Sequence, residues 1–149
     1  MNLARPEAPR PLLLAGRLVG AGLLAATAGV HLYLWSAGYS SIAWIGPLFL
    51  VQAVVGFLLC AAVLTVSQAW LPQVAVLGAL LQVGTLGGLL LSVDVGLFGF
   101  FESTRTRLFW PSVWIETVGA VVLVAVALVR PRGQPALRRA GPREARAGR

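Results

Sequence analysis

The sequence predicts an all-α fold, an integral membrane four-helix bundle with both termini in the cytoplasm. Of its 149 residues, 58% are hydrophobic and only 11% are charged, whereas roughly a quarter of the residues in a soluble domain are charged. The hydrophobic residues form four blocks of about twenty, the length that crosses a bilayer core of ~30 Å. Each block is expected to be a helix, because lipid offers no hydrogen-bond partner to an unpaired backbone amide.

The distribution of arginine predicts the orientation. All twelve basic residues are Arg; ten of them lie before the first block or after the fourth, and only Arg105 and Arg107 lie in the third connector. Because positive charge is enriched in cytoplasmic segments, both termini are predicted to be cytoplasmic, which requires an even number of spans. Nucleic acid is not expected as a partner, since the net charge of +7 is concentrated at the ends of apolar blocks.

The elements follow in order. A cytoplasmic segment, residues 1–17, precedes a transmembrane domain, residues 18–129, with spans at about 18–36, 46–66, 72–94 and 109–129. A cleaved signal peptide is an alternative for the first span, since Ala26-Thr27-Ala28 fits a cleavage pattern, but the apolar run continues to Trp35. Pro47, Pro72 and Pro111 each fall in a first helical turn, where proline is tolerated.

Residues 130–149 carry seven Arg and few residues to bury. This composition predicts a disordered, basic cytoplasmic tail that anionic lipid headgroups attract. Cys60 is the only cysteine, which excludes an intrachain disulfide or a CxxC redox pair.

A few polar residues inside the spans form the candidate site. At 1.5 Å per residue, His31, Gln52 and Glu116 reach one layer in the outer half of the membrane. Asp94 and Glu102 lie at the same outer end and are candidates to link the layer to the surface. An unpaired ion is costly in lipid, so His31 and Glu116 are predicted to pair, either as a structural clamp or as a functional site. The pattern indicates no catalytic residue and no metal site, and it leaves the cofactor unknown.

Small residues predict where helices touch. Close helix approach in lipid depends on small side chains, and four of them recur at four-residue spacing in and just after the third span, namely Gly84, Gly88, Ser92 and Gly96. This ridge is expected to lie against another helix, within the chain or in a homo-oligomer.

Two stretches carry a resemblance, "GVHLYLWSAGYSSIAWIGPLFLVQAVVG" at residues 29–56 and "GLFGFFES" at residues 96–103. They resemble short four-span membrane proteins of actinobacteria, which implies a multi-pass plasma-membrane protein and no particular activity. The architecture alone is similar to that of DoxX-type four-helix proteins, a likeness that carries no function.

The sequence favours a small non-catalytic membrane protein, an accessory or binding subunit whose partners are the lipid bilayer and a second copy or a membrane complex. One alternative is a subunit of an oligomeric proton-coupled transporter in which His31 and Glu116 change protonation. Another is a subunit associated with redox, haem or quinone chemistry. Enzymatic activity is less favoured, because no nucleophile motif marks a serine near His31.

Overall fold

The computed structural model describes residues 7–131 and contains four long helices. They are α1 (Arg10–Ser36), α2 (Ile45–Thr65), α3 (Leu71–Asp94) and α4 (Phe109–Leu128). Each is long and apolar enough to cross a membrane. A single 3₁₀ turn, Tyr39–Ser41, lies between α1 and α2, and two-residue strands β1 (Glu7–Ala8) and β2 (Arg130–Pro131) flank the helices.

Helices α2, α3 and α4 begin and end within one residue of the predicted spans, but α1 begins at Arg10 rather than at residue 18. Pro9 precedes its first turn and Pro11 lies within it, a position that suits proline. Arg17 is therefore inside the helix and does not mark its boundary. Its guanidinium donates to the carbonyl oxygens of Val63 at 3.0 Å and Val66 at 2.9 Å, which satisfies carbonyls that the end of α2 leaves free.

The helices form a ring in which each packs beside its neighbours in the chain and α1 also packs on α4. Strand β1 pairs in parallel with β2, so the two ends of the described chain meet at one end of the bundle, here called the proximal end. The opposite, distal end carries the α1–α2 and α3–α4 connectors. Arg130 and Pro131, predicted as the start of a disordered tail, instead form β2; the remainder of that tail and residues 1–6 lie outside the described residues.

The apolar core fills the proximal half. Leu24 and Leu123 are fully buried at its centre, among side chains from all four helices. Gly78 allows both leucines to approach α3, because a Cβ on Gly78 would lie 3.1 Å from Leu123 and 3.2 Å from Leu24. Gly56 brings α2 equally close to Ala28 of α1, the close packing that small residues permit between helices.

The outward faces of all four helices are apolar. Leu58 is 64% exposed and Val121 65% exposed, as are many other large aliphatic side chains. A soluble monomer rarely exposes a continuous apolar surface of more than a few hundred Å². Trp44, Trp70 and Trp110 lie exposed next to helix starts, where a membrane interface accommodates amphipathic rings. This surface is compatible with a bundle surrounded by lipid.

The α3–α4 connector folds over the distal end. Leu97 and Phe100 exchange backbone hydrogen bonds of 2.8 and 2.9 Å, and the residues between them, Phe98 and Gly99, have φ of 51° and 80°. Two consecutive positive φ angles indicate a type I′ turn. The amide of Glu102 then donates to the carbonyl of Ser92 at 3.0 Å, which places the Glu102 side chain at the rim of the bundle.

Candidate functional site

The distal half of the bundle encloses a cavity of about 330 Å³, at the lower end of the range of small-molecule sites. We call it the distal cavity. All four helices and the α3–α4 connector line it, mainly with leucine and aromatic side chains. Its polar lining residues are His31, Gln52, Thr85, Ser92, Glu102, Ser112 and Glu116. The arrangement is a largely apolar chamber with a few inward polar groups.

Glu116 and His31 approach each other through Thr27, not directly as the sequence predicted. The Thr27 hydroxyl donates to Oε1 of Glu116 at 3.3 Å, and Nδ1 of His31 lies 2.8 Å from the Thr27 carbonyl oxygen. Because that carbonyl is an acceptor, Nδ1 carries a proton, which leaves Nε2 as an acceptor in the neutral ring. Among the described residues no hydrogen bond joins the His31 ring to the Glu116 carboxyl, and Nδ1 of His31, one turn after Thr27 on α1, bonds back to its own helix.

Glu116 retains unused hydrogen-bonding capacity. It is only 1% exposed, and its Oε2 has no hydrogen-bond partner among the described residues. A charged carboxylate without a cation is costly in this environment, which favours the neutral acid. With Oε1 accepting from Thr27, the neutral acid has its second oxygen free to bond to a molecule in the distal cavity.

Gln82 is a second polar side chain that lacks hydrogen-bond partners among the described residues. It was not one of the predicted site residues. It is fully buried, and neither Nε2 nor Oε1 has a partner among the described residues. Its amide lies against Gly119, where a Cβ would collide with Nε2. Gly119 is one turn after Glu116 on α4, so the Gln82 amide lies next to the helical turn that carries the carboxyl. The sequence signal for this contact is Gly119 itself, because only glycine leaves room there for the Gln82 amide.

Gln52 ties α2 to α3 at the cavity wall. Its Nε2 donates to the Thr85 hydroxyl at 2.6 Å, and that hydroxyl donates to the Leu81 carbonyl at 2.6 Å. Elsewhere α2 and α3 pack more loosely than the other neighbouring pairs. Gln52 therefore lines the cavity as predicted, with Thr85 as the partner that sequence reasoning did not identify.

An aromatic cluster forms the rim. The ring of Phe49 meets His31 edge-on, with centroids 5.0 Å apart, and stacks on Tyr39 at 5.3 Å. The Tyr39 hydroxyl donates to Oε2 of Glu102 at 3.2 Å, while the Ser103 amide donates to Oε1 at 2.8 Å. Burial, and then the nearby Glu102 carboxylate, raises the pKa of Tyr39. Glu102 thus reaches the cavity as expected.

Asp94 does not join this group. It is the last residue of α3, its side chain is exposed, and it lines neither the distal cavity nor the groove described below. The sequence placed it at the correct depth, but depth does not fix the rotation of a helix about its axis. The structure therefore brings together His31, Gln52, Glu116 and Glu102, and leaves Asp94 outside.

The glycine ridge of α3 does not contact another helix of this chain. A Cβ added at Gly84 or Gly88 would meet nothing within 4 Å, and both residues line the distal cavity. Gly96 lies beyond the end of α3, with φ of 79° and the Phe101 ring against it. At Gly84 and Gly88 the absence of a side chain leaves open space within this chain, and contact of the ridge with a helix of a second copy stays a prediction.

A larger groove lies beside the cavity. It has a volume of about 1030 Å³, runs between the distal ends of α1 and α4, and includes Arg105 and Arg107 in its lining; we call it the α1–α4 groove. The walls of the groove and of the distal cavity have five residues in common, namely Val30, Leu34, Leu89, Glu102 and Ser112. The two spaces are therefore adjacent.

The donor set suits hydrogen bonding to a ligand. In the described part of the chain, no three His, Cys, Asp or Glu side chains are grouped to hold a metal ion. No family model matches the sequence, and neither the curated proteins nor the solved structures contain a match to it. The geometry of the distal cavity is therefore the basis for assigning a function.

Proposed function

We propose that this protein is a non-catalytic binding subunit of the cell membrane that holds a small apolar molecule in the distal cavity. The ligand has a hydrogen-bonding group, a hydroxyl or a carbonyl, at the end that meets Glu116. The observation that carries the proposal is the free Oε2 of Glu116, buried in the wall of an otherwise largely apolar chamber. Such a polar atom normally finds a partner.

The ligand chemistry follows from the lining. Apolar side chains such as Leu48, Leu81 and Phe100 dominate the walls, so a strongly hydrated or highly charged solute would lose its water without compensation. Glu116 and the Nε2 of His31 supply a few oriented hydrogen-bonding atoms, the usual means of fixing an apolar ligand in a pocket. Quinone-like rings and alcohols with an apolar body have this combination.

The proposed placement in the membrane uses the arginine distribution as well as the apolar surface. The distal cavity lies in the half of the bundle near Arg105 and Arg107, whereas β1 and β2 lie at the proximal end. Most of the other arginines precede β1 or follow β2 in the sequence. The positive-inside rule then puts the proximal end in the cytoplasm and the distal cavity in the outer half of the plasma membrane. A ligand would enter from the outer leaflet or from outside.

The test compares the molecules that co-purify with the wild type and with three variants of the full chain in mild detergent. Gly88→Leu fills the distal cavity, because Gly88 lines it and has open space at its Cβ. Gly87→Leu is the matched control, since Gly87 has the same open space but does not line the cavity. Organic extracts are analysed by mass spectrometry.

We expect an apolar molecule in the wild-type and Gly87→Leu extracts that is absent from Gly88→Leu. Glu116→Leu fills similar space but cannot form a hydrogen bond to the ligand, so it should reduce the amount of bound molecule about tenfold, the effect of losing one good hydrogen bond. Identical extracts from all the forms, or no bound molecule in the wild type, would refute the proposal.

A further inference from the structure

The α1–α4 groove has two chemically distinct parts that the proposed function does not use. Toward the proximal end its wall is formed by small and apolar residues of α1, including Ala26 and Gly29. At the distal end Arg105 and Arg107 of the α3–α4 connector line it, and both side chains are exposed. The groove therefore changes from apolar to cationic along the direction in which a bilayer changes from acyl chains to headgroups.

The apolar part has room for a chain. A Cβ at Gly29 would meet nothing within 4 Å, so α1 leaves open space where it faces the groove. Tyr33, one turn further toward the distal end, is 61% exposed and also lines the groove. An acyl chain lying along this face would cover apolar surface that no helix of the bundle covers.

The cationic part has two arginines and a single carboxylate among its lining residues. Glu102 is the only acidic residue among the residues that line the groove. Its two oxygens already accept from the Tyr39 hydroxyl and the Ser103 amide. The side chains of Arg105 and Arg107 are exposed, so an outside anion can reach them, and guanidinium groups match the geometry of a phosphate.

From these two parts we infer that the α1–α4 groove binds an anionic phospholipid. Its phosphate lies on Arg105 and Arg107, and one acyl chain lies along Ala26 and Gly29. A soluble phosphate uses only the cationic part, whereas a phospholipid uses both parts at once. The inference depends on the chain lying in a bilayer and not on the identity of the ligand in the distal cavity.

The experiment measures retained lipid by native mass spectrometry. The full chain is reconstituted in nanodiscs containing equal amounts of phosphatidylglycerol and phosphatidylcholine, then released into the gas phase. The wild type is compared with Arg105→Gln/Arg107→Gln and with Gly29→Leu. The matched controls are Arg10→Gln, which removes an exposed charge at the proximal end, and Gly22→Leu, which fills open space outside the groove.

We expect one phosphatidylglycerol to be retained in preference to phosphatidylcholine by the wild type and by both controls. The double arginine variant should lower this retention roughly thirtyfold, since each basic contact with an anionic lipid contributes about a factor of five. Gly29→Leu should lower retention of either lipid, because it blocks the chain and not the headgroup.

Several results would overturn the inference. One is equal retention of the two lipids by the wild type, and another is an equal loss of retained lipid in Gly22→Leu and Gly29→Leu. A third is displacement of the lipid by millimolar inorganic phosphate, which would show that the groove is a simple anion site. Thermal unfolding of each variant in detergent identifies loss of fold. The arginine variants are expected to remain folded, because both side chains lie exposed on a connector.

Discussion

Thr27 is the residue that organises the polar interior of the distal half. Its backbone carbonyl accepts from His31 and its side-chain hydroxyl donates to Glu116, so one residue of α1 contacts both the ring and the carboxyl. The carboxyl has no other hydrogen-bond partner among the described residues. The link between α1 and α4 at this level therefore depends on a single hydroxyl.

Thr27→Val should destabilise the protein by about 1–3 kcal/mol, the usual effect of leaving a buried polar group without its partner. Thr27→Ser keeps the hydroxyl and should lose much less. The matched control is Thr65→Val, because the Thr65 hydroxyl donates only to the Ala61 carbonyl of its own helix and is exposed. Unfolding in detergent measures all three; equal losses for Thr27→Val and Thr65→Val would disprove the link.

Tyr39 should make stability depend on alkaline pH. Its pKa is raised above the ordinary value of 10.0 in the fold, so the fold favours the neutral phenol. This contribution is fully present below pH 10 and is lost as pH rises through the higher value of the folded state. The wild type should therefore lose stability above pH 10 more steeply than Tyr39→Phe. Tyr33→Phe, at an exposed position, should behave like the wild type.

At the scale of elements, glycine has three separate roles in this chain. Gly56 and Gly78 permit close helix contacts, Gly84 and Gly88 leave the distal cavity open, and Gly99 adopts a left-handed turn. Spacing alone does not distinguish the first two roles, which is why the α3 ridge was assigned to packing. The distinction requires the position of the neighbouring helix.

Replacing glycine with alanine should have opposite effects on stability in α1 and in the α3–α4 connector. Gly22→Ala lies within α1 with open space around its Cβ, so it should stabilise the protein by up to about 1 kcal/mol through helix propensity. Gly99→Ala also has open space, but its φ of 80° is costly for alanine, and it should destabilise by about 1 kcal/mol. Chemical denaturation in detergent would reveal the signs; two effects of the same sign would contradict the turn geometry.

The sequence predicted the bounds of α2, α3 and α4 because block length and hydropathy are local properties, whereas α1 begins at Arg10 and not at residue 18. It also identified His31, Gln52 and Glu116 as residues at one depth, since helix rise converts residue number into height. Helix rotation and side-chain direction depend on packing against the other helices. For that reason the sequence did not show that Asp94 lies outside the cavity lining, and it did not reveal the roles of Thr27, Gln82 and Tyr39.

At the scale of the whole molecule, packing divides the bundle into two halves. The proximal half has a continuous apolar core around Leu24 and Leu123, whereas the distal half has the cavity and the adjoining groove. The bundle therefore has a packed core at one end and open space at the other. Mutations in the proximal half should thus affect stability first, and those in the distal half should affect binding first.

The four-span arrangement predicts which connectors share a side of the membrane. In a Cys60→Ala background, Ser40→Cys and Ser103→Cys should react with an impermeant maleimide added to intact cells. Gln68→Cys, in the α2–α3 turn, should react only after the membrane is permeabilised. All three positions are exposed. Labelling of Gln68→Cys on intact cells while Ser103→Cys stays protected would show that the membrane orientation is the opposite of the predicted one.

The central claim, that Glu116 faces a cavity open to apolar molecules, can be tested by its reaction with dicyclohexylcarbodiimide, an apolar reagent that modifies protonated carboxyl groups. Peptide mass spectrometry should find Glu116 modified in the wild type and in Gly87→Leu, and protected in Gly88→Leu, whose added side chain fills the cavity. A water-soluble carbodiimide should modify the exposed Asp94 and leave Glu116 intact. Failure of the apolar reagent to modify Glu116, or equal modification in the two glycine variants, would contradict the account.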